Sequence, residues 1–441
     1  MTTPDHPAPR YCVIGAGAAG LATVRALRDA GVEFDCFERS EHVGGHWNTD
    51  YEALHLISAR DVSAFRGHPM PGDYPYYPSR LQVVDYLNDF ADAYDLRRHI
   101  MFGVEVVRAE PVDPDGRTGW TVTLGDGTER HYAGVVVANG HLWDPRTPEV
   151  AGEFTGTVLH SSDYHDVGDV TGDRVLVVGT GNSGCDIAVD VAQDRRHAYV
   201  VMRSGQLFQP KSFFGRPRAN LPIAKLPPLL AELATVALTR IVNGGAAEYG
   251  MPAPRSWRLK DSPPIVNTQL LHWIQHGRIE IVPTIERFDD DKVVLTDGRV
   301  LAVDTVIWCT GFHVSLPFLD ESLVPRRDGI PLRHAATVLP PTVEGLFYIG
   351  LCAPRGGQFP FYDVQAELLV DMIALRERGD VALSREFAAR EEPEWRLDVM
   401  PHLWFAQVER TRKHLAALAA ALPTRAGSPA GTTPSSKVNG S

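Results

Sequence analysis

Short, wholly apolar runs recur along the chain, and each ends at a glycine-rich or polar turn. The first covers residues 11–14 and is closed by Gly15-Ala-Gly17-Ala-Ala-Gly20, after which apolar residues return at helical spacing until Gly31. Runs that are apolar at every position fit strands buried on both faces of a parallel sheet. A strand over 32–37 is predicted next, ending in Glu38, and a helix over 81–94 follows an aromatic- and Pro-rich loop at 68–79. The stretch from Trp120 alternates and carries an Asp-Gly turn signal, which predicts a hairpin; 293–298 repeats the pattern. Further strands are predicted at 134–138, 174–178, 198–202, 305–308 and 346–349, with helices starting at Asn182 and near Val364. Residues 205–264 are Pro-rich and irregular, with room for one or two helices. The longest apolar run, 226–242, holds Glu232 and Arg240 and is too short and too charged to span a bilayer, so a packed amphipathic helix is expected there. Strands alternating with helices predict doubly wound α/β domains.

Composition narrows the class. A length of 441 residues allows two or three domains, and 44% hydrophobic with 22% charged residues is the balance of a globular protein in water. The formal charge of −12 argues against a nucleic-acid surface, which needs clustered Lys and Arg. The five cysteines, Cys12, Cys36, Cys185, Cys309 and Cys352, lie far apart, which removes a dithiol relay and a zinc knuckle and fits a reducing compartment. No metal is expected. The first ten residues are polar and Pro-rich, so no signal peptide and a cytoplasmic location are expected. Heavy use of Ala, Arg, Asp and Pro suggests a bacterial source. Residues 424–441 are Gly, Ser, Thr and Pro-rich and are expected to be disordered.

The chemistry sits in two glycine turns. In the first, Gly15 permits the bend, Gly17 lets backbone approach a pyrophosphate, and Gly20 lets helix and strand pack closely. Glu38, at the end of the second strand, is placed to accept from ribose hydroxyls and would repel a 2′-phosphate, which suits FAD. The second turn is Gly179-Thr180-Gly181-Asn182-Ser183-Gly184, and its second strand ends in Arg203-Ser204 instead of an acid. A guanidinium there can pair with a 2′-phosphate, which favours NADPH over NADH; Lys211 is a weaker second candidate. Two such turns need two dinucleotides, most simply a flavin and a nicotinamide.

Between the turns lies Phe154-x-Gly156-x-x-x-His160-x-x-x-Tyr164. Together with GAGAAG, the acid of FERS, Gly44-Gly45-His46-Trp47, GTGNSGCD and the late CTGF at 309–312, this linker resembles the class B flavin-containing monooxygenases up to about Leu422. The resemblance implies two Rossmann-like domains, the NADPH domain inserted into the FAD domain. The division it suggests is 1–168 and 301–423 for FAD, and 169–300 for NADPH with a Pro-rich helical insertion at about 205–264. It also implies reduction of FAD by NADPH, formation of a C4a-(hydro)peroxyflavin with O₂, and transfer of one oxygen atom to a small-molecule nitrogen or sulfur centre. The flavin does that chemistry, and no side chain need be the nucleophile. Carried over by motif, Gly15, Gly17, Gly20, Glu38, Gly45, His46 and Trp47 would contact FAD, with the backbone of Val106 at the adenine. Gly179, Gly181, Asn182, Ser183, Gly184 and Arg203 would hold NADPH. Thr310 and Gly311 would sit near both cofactors, and His160 would organise the linker without moving protons. Partners are then a small substrate and O₂, with no nucleic acid and no membrane; a homodimer stays open.

The chain departs from the family at one position. Relatives carry Thr/Ser-Asn-x-x-Lys, whose asparagine sits beside the flavin and nicotinamide; the matching stretch here is Leu56-Ile57-Ser58-Ala59-Arg60. Ile57 cannot hydrogen-bond, so Ser58, His55 or a water takes over, or the oxygenated flavin leaks peroxide. A shift of one residue makes Ser58 the counterpart. Two further chemistries use the same parts. Baeyer–Villiger enzymes usually follow GG-x-W with Asn-Arg-Tyr-Pro-Gly and end the linker in Trp, whereas here Asn48-Thr49-Asp50-Tyr51 follows and the linker ends in Tyr164. Plant indole-3-pyruvate monooxygenases share HSS-x-Y, which keeps oxidative decarboxylation of a keto acid open. An NADPH oxidase-like flavoprotein is a more distant alternative.

Overall fold

The computed structural model describes residues 10–259 and 261–422. The expected disordered tail at 424–441 lies outside these residues. Two parallel five-stranded sheets carry the fold. The first is built from β1 (Tyr11–Ile14), β2 (Phe34–Phe37), β3 (Ile100–Met101) and β4 (Gly134–Val137), and completed by Leu346–Tyr348. The second uses β5 (Thr157–His160), β6 (Arg174–Val178), β7 (His197–Val201), β8 (Ile279–Val282) and β9 (Thr305–Trp308). With Leu346–Tyr348 as β10, the orders are β10-β4-β1-β2-β3 and β8-β7-β6-β9-β5. Every pairing in both is parallel, with Val13 opposite Val136 and Cys36, and Val177 opposite Val200 and Ile307. The central strands β1, β4 and β9 are buried at all four of their positions, which is why they read as unbroken apolar runs. All of the second sheet falls between β4 and β10 in sequence, so it is an insertion into the first. Strands β5 and β9, which the sequence division put on either side of the inserted unit, pair with each other inside its sheet.

Each first strand feeds a helix through its glycine turn: α1 (Ala18–Asp29) after β1 and, after β6, a helix at Asn182–Gln193. The helix of Arg80–Ala93, which precedes it as α2, starts at a Ser79–Gln82 capping box, so the second-turn helix is α3. A long helix, Phe359–Arg378, packs against α1 and shares its hydrophobic core. Both Asp-Gly hairpins form, as Trp120–Leu124 with Glu129–Tyr132 and as Lys292–Leu295 with Val300–Ala302.

Three expectations are corrected. The second strand begins at Phe34, because Val32 N–H is spent closing α1 on Leu27 O at 3.0 Å. The helix expected from near Val364 begins at Phe359, with the buried Asp363 in it paired with Arg25 at 2.6 Å, and a further helix, Pro401–Ala421, follows it. The run at 226–242 is a helix, α4 (Pro228–Asn243), but it packs inside out. It buries Glu232, Thr235, Val236 and Thr239 while Leu229, Leu230, Leu233, Ile241 and Val242 stay exposed. Glu232 is buried because its carboxylate accepts from Leu259 N–H at 2.6 Å. Among the described residues no helix is long and apolar enough to cross a membrane.

Candidate functional site

The two turns fold alike. Gly15 has φ +103° and Gly179 φ +118°; a Cβ at either would stand 2.7 Å from Ala138 O or 2.4 Å from Cys309 O. At Gly20 and Gly184 a Cβ would lie 2.0 Å from Gly15 O and 2.2 Å from Gly179 O. The fold itself therefore requires glycine at these positions. The middle glycines differ. A Cβ on Gly17 would meet only the backbone of Gly45, at 3.7 Å, and one on Gly181 would meet nothing within 4 Å. Both sit in extended backbone at φ −69°, open to any residue. Nothing in the protein explains glycine at 17 and 181, whereas a pyrophosphate lying against the N-termini of α1 and α3 does. The residues present thus fit two dinucleotides.

Around the first turn, Gly45 (φ +60°) backs Gly17, and Gly44 N–H bonds Ala16 O at 3.1 Å. Glu38 is buried; its carboxylate accepts from Ala16 N–H at 2.7 Å and from the Ser40 N–H and hydroxyl, both at 2.9 Å. The acid is thereby fixed at the strand end with lone pairs left for a ribose. Asn139 follows the strand that backs Gly15. Its amide donates to Ser315 O at 3.1 Å, and its buried Oδ1 has no partner in the protein. His46 bonds Asp50 through Nδ1 at 2.5 Å, and Arg80 holds the Trp47 and Asn48 carbonyls, each at 3.1 Å. Near His46, burial, helped by the neighbouring His46 and Arg333 and opposed by the Gly350 backbone, pushes the His141 pKa down to about 4. Val106 is buried at the start of the strand Val106–Pro111.

The second turn's helix is tied back to the first unit. The Tyr51 hydroxyl reaches Asp186 at 3.2 Å, and Asn267 donates to the same carboxylate at 2.6 Å. Burial raises the Asp186 pKa, partly offset by Lys211 and these two donors. Asn182 Oδ1 accepts from Val266 N–H at 3.3 Å, and Ser183 faces the Tyr51 hydroxyl. Arg203 is exposed and has no ion-pair partner among the described residues.

The linker is fixed by hydrogen bonds. His160 Nε2 donates to Gly311 O at 3.1 Å, which makes Nδ1 the acceptor for Ser162 N–H at 3.1 Å. Burial lowers its pKa, so it stays a neutral strut between β5 and the Thr310-Gly311 turn. Arg146 grips Thr310 O from the other side at 2.7 Å. Tyr164 is fully buried and donates to Asp190 on α3 at 2.6 Å.

Ile57 is 40% exposed. Ser58 Oγ lies 2.8 Å from Ser63 Oγ, and Ser63 in turn donates to Ala59 O at 2.8 Å. Ser58 must therefore donate to Ser63, and its proton is already committed. The five cysteines are all buried and free, and burial raises each thiol pKa, that of Cys352 to about 12. A surface cavity of about 580 Å³ opens among Glu110, Trp120 and His131 and touches neither turn.

The sequence placed the turn residues on strand ends and helix starts, but it read the linker as a connection, and Thr157–His160 within it is a strand of the second sheet. It missed Asn139, Tyr51, Asp186 and Asn267. Each has an ordinary local context, and only the meeting of distant segments gives it a role.

Comparison with known proteins agrees with this geometry. The model of the flavin-binding monooxygenase-like family matches residues 8–378. The chain is 32% identical to the probable indole-3-pyruvate monooxygenase YUCCA9 of Arabidopsis thaliana, over 75% of this chain and 83% of that protein. It is 29% identical to flavin-containing monooxygenase 3 of Rattus norvegicus, over 82% and 73% of the two chains. The open crystal structure of cyclohexanone monooxygenase has the same fold, with a TM-score of 0.70 at 20% identity over 94% of this chain and 98% of that one.

Proposed function

Because the chain belongs to the flavin-binding monooxygenase-like family, we propose that it oxygenates a nitrogen or sulfur centre of a small molecule. It is a FAD-dependent monooxygenase that draws its electrons from NADPH. FAD, when bound, would supply acceptance of a hydride from NADPH and the chemistry of O₂, one oxygen atom going to the substrate and the other leaving as water. The chain's own part is to bind, orient and hold. Gly17 and Gly181 give the pyrophosphates room, Glu38 takes the FAD ribose, and Arg203 pairs with the NADPH 2′-phosphate. His160 braces the end of the inserted unit's sheet against Gly311, Tyr164 fixes the linker to α3, and Tyr51 ties α3 back to the first unit. We place the inserted unit from about Thr157 to Trp308, since β5 and β9 belong to its sheet.

The observation that favours heteroatom oxygenation over Baeyer–Villiger chemistry is that the linker ends in Tyr164, together with Asn48-Thr49-Asp50-Tyr51 after Trp47. Tyr51 itself is committed to Asp186, so this stretch serves the contact between units. Oxidative decarboxylation of a keto acid is a second reading, supported by the 32% identity to an indole-3-pyruvate monooxygenase. The test is NADPH and O₂ consumption over sulfides, amines, ketones and keto acids, with products and peroxide measured. Oxygenated sulfide or amine in step with NADPH supports the first reading; lactone or ester from ketones, or CO₂ from keto acids, replaces it.

A further inference from the structure

Helix α4 turns an apolar row outward. Leu226, just before the helix, and Leu229, Leu230, Leu233 and Ile241 within it follow helical spacing and are 43% to 79% exposed. Single exposed apolar side chains are common on any protein, but a row about 18 Å long from Leu229 to Ile241, on one helix face, marks a contact surface. The opposite face buries Glu232, Thr235 and Thr239, and Glu232 accepts from Leu259 N–H at 2.6 Å. Rolling the helix to hide its leucines would break that bond and draw the polar side chains out, so the row is fixed facing outward.

Charge decides what the row can face. The chain carries −12 overall, yet residues 205–259 hold seven Lys or Arg against two acids. Both acids lie outside the row: Glu232 is on the buried face, and Glu248 accepts from Gly245 N–H at 3.3 Å. Lys225 stands at one end of the row and Arg240 within its other end, both exposed. Pairing two copies of this helix through the row, in either direction, sets cation against cation, which disfavours a symmetric contact between copies. An apolar row with exposed cations at its ends matches an anionic lipid surface, where leucines enter the acyl boundary and the Lys and Arg heads stay among the phosphates. The same segment leaves Phe214 81% and Trp257 46% exposed, with the Arg258 guanidinium 5.3 Å from the Trp257 ring centre. Aromatic and cationic residues of this kind suit the headgroup layer.

We propose that α4 docks this protein onto an anionic phospholipid surface, lying in the plane of the headgroups with Leu229, Leu230, Leu233 and Ile241 inserted. The expectation of no membrane partner came from the lack of a spanning stretch, which an in-plane helix does not need. The proposal goes beyond the oxygenation chemistry and does not depend on which centre is oxidised.

The test is sedimentation of the full-length, flavin-loaded protein with vesicles, followed by flavin absorbance in the pellet. One vesicle set is phosphatidylcholine alone, the other equal parts of phosphatidylcholine and phosphatidylglycerol. The wild type should bind the anionic vesicles and bind the neutral ones at least tenfold more weakly. Leu230→Gln with Leu233→Gln should weaken anionic binding about tenfold or more, and Lys225→Gln and Arg240→Gln about fivefold each. All variants should melt with the wild type and oxidise NADPH at its rate without vesicles, since every substituted side chain is exposed. A wild type that stays in the supernatant, binds both vesicle sets equally, or binds as well after the leucine substitutions overturns the proposal. A dimer in sedimentation velocity that the leucine substitutions dissociate also overturns it, and assigns the row to a second copy of the chain.

Discussion

Replacing Gly17 by alanine separates what the fold needs from what the flavin needs. In the apoprotein the new methyl meets only Gly45 Cα at 3.7 Å, an ordinary contact, and the backbone at φ −69° accepts alanine. Such a substitution stabilises by about 0.4–1 kcal/mol through the unfolded chain. With FAD bound, the methyl occupies the place of closest approach to the pyrophosphate. Overpacking of this kind costs roughly 1–3 kcal/mol, or about a five- to 150-fold weaker FAD affinity. Gly20→Ala is the control of opposite character, since its Cβ would stand 2.0 Å from Gly15 O and the apoprotein itself should fail. Thermal melts of the apoproteins, with flavin content and FAD titration, read both effects. The expected pattern is an apo-Gly17→Ala protein melting at or slightly above wild type and binding FAD poorly, with Gly20→Ala destabilised before any flavin is added. A Gly17→Ala protein purifying with full flavin content and wild-type affinity would refute the placement of the pyrophosphate.

Three further outcomes are expected. Arg203→Ala should raise the KM for NADPH about tenfold or more and leave NADH unchanged, since a charge-assisted contact is worth about 1.5–3 kcal/mol; equal losses for both nucleotides would move the 2′-phosphate contact elsewhere. Ile57→Asn should lower the peroxide released per NADPH consumed, because Ile57 has no donor and Ser58 has spent its own on Ser63; an unchanged yield would mean that another group already does this work. His141, held at about 4 against a usual 6.5, resists protonation in the fold while the unfolded chain accepts it. Apoprotein stability should therefore be full above pH 6.5 and fall between 6.5 and about 4, by up to about 3 kcal/mol, and His141→Gln should flatten that part of the melting curve.

The doubly wound fold was legible because parallel strands buried on both faces leave unbroken apolar runs, and because the turns at Gly15 and Gly179 admit few residues. The hairpins were legible from Asp-Gly. Element edges were less so: Phe359 opens its helix with a proline just inside, but the aromatic run before Val364 does not itself mark a start. The orientation of α4 was not legible at all. Its leucines fit a buried stripe, and only Leu259 N–H, twenty-seven residues from Glu232, makes the acid face the inner one. Of the site, the glycines, Glu38 and the linker were read from local pattern. The links Tyr51–Asp186 and Asn139–Ser315 were not, since no spacing relates such distant partners.

The burial of all five thiols bears on how long such a catalyst lasts. An enzyme that handles reduced flavin and O₂ works beside a source of hydrogen peroxide, and peroxide attacks thiolate far faster than thiol. With every cysteine shut away from solvent and held protonated, the chain offers its own by-product no sulfenic-acid target, and self-inflicted inactivation during turnover must enter through methionine or through local opening.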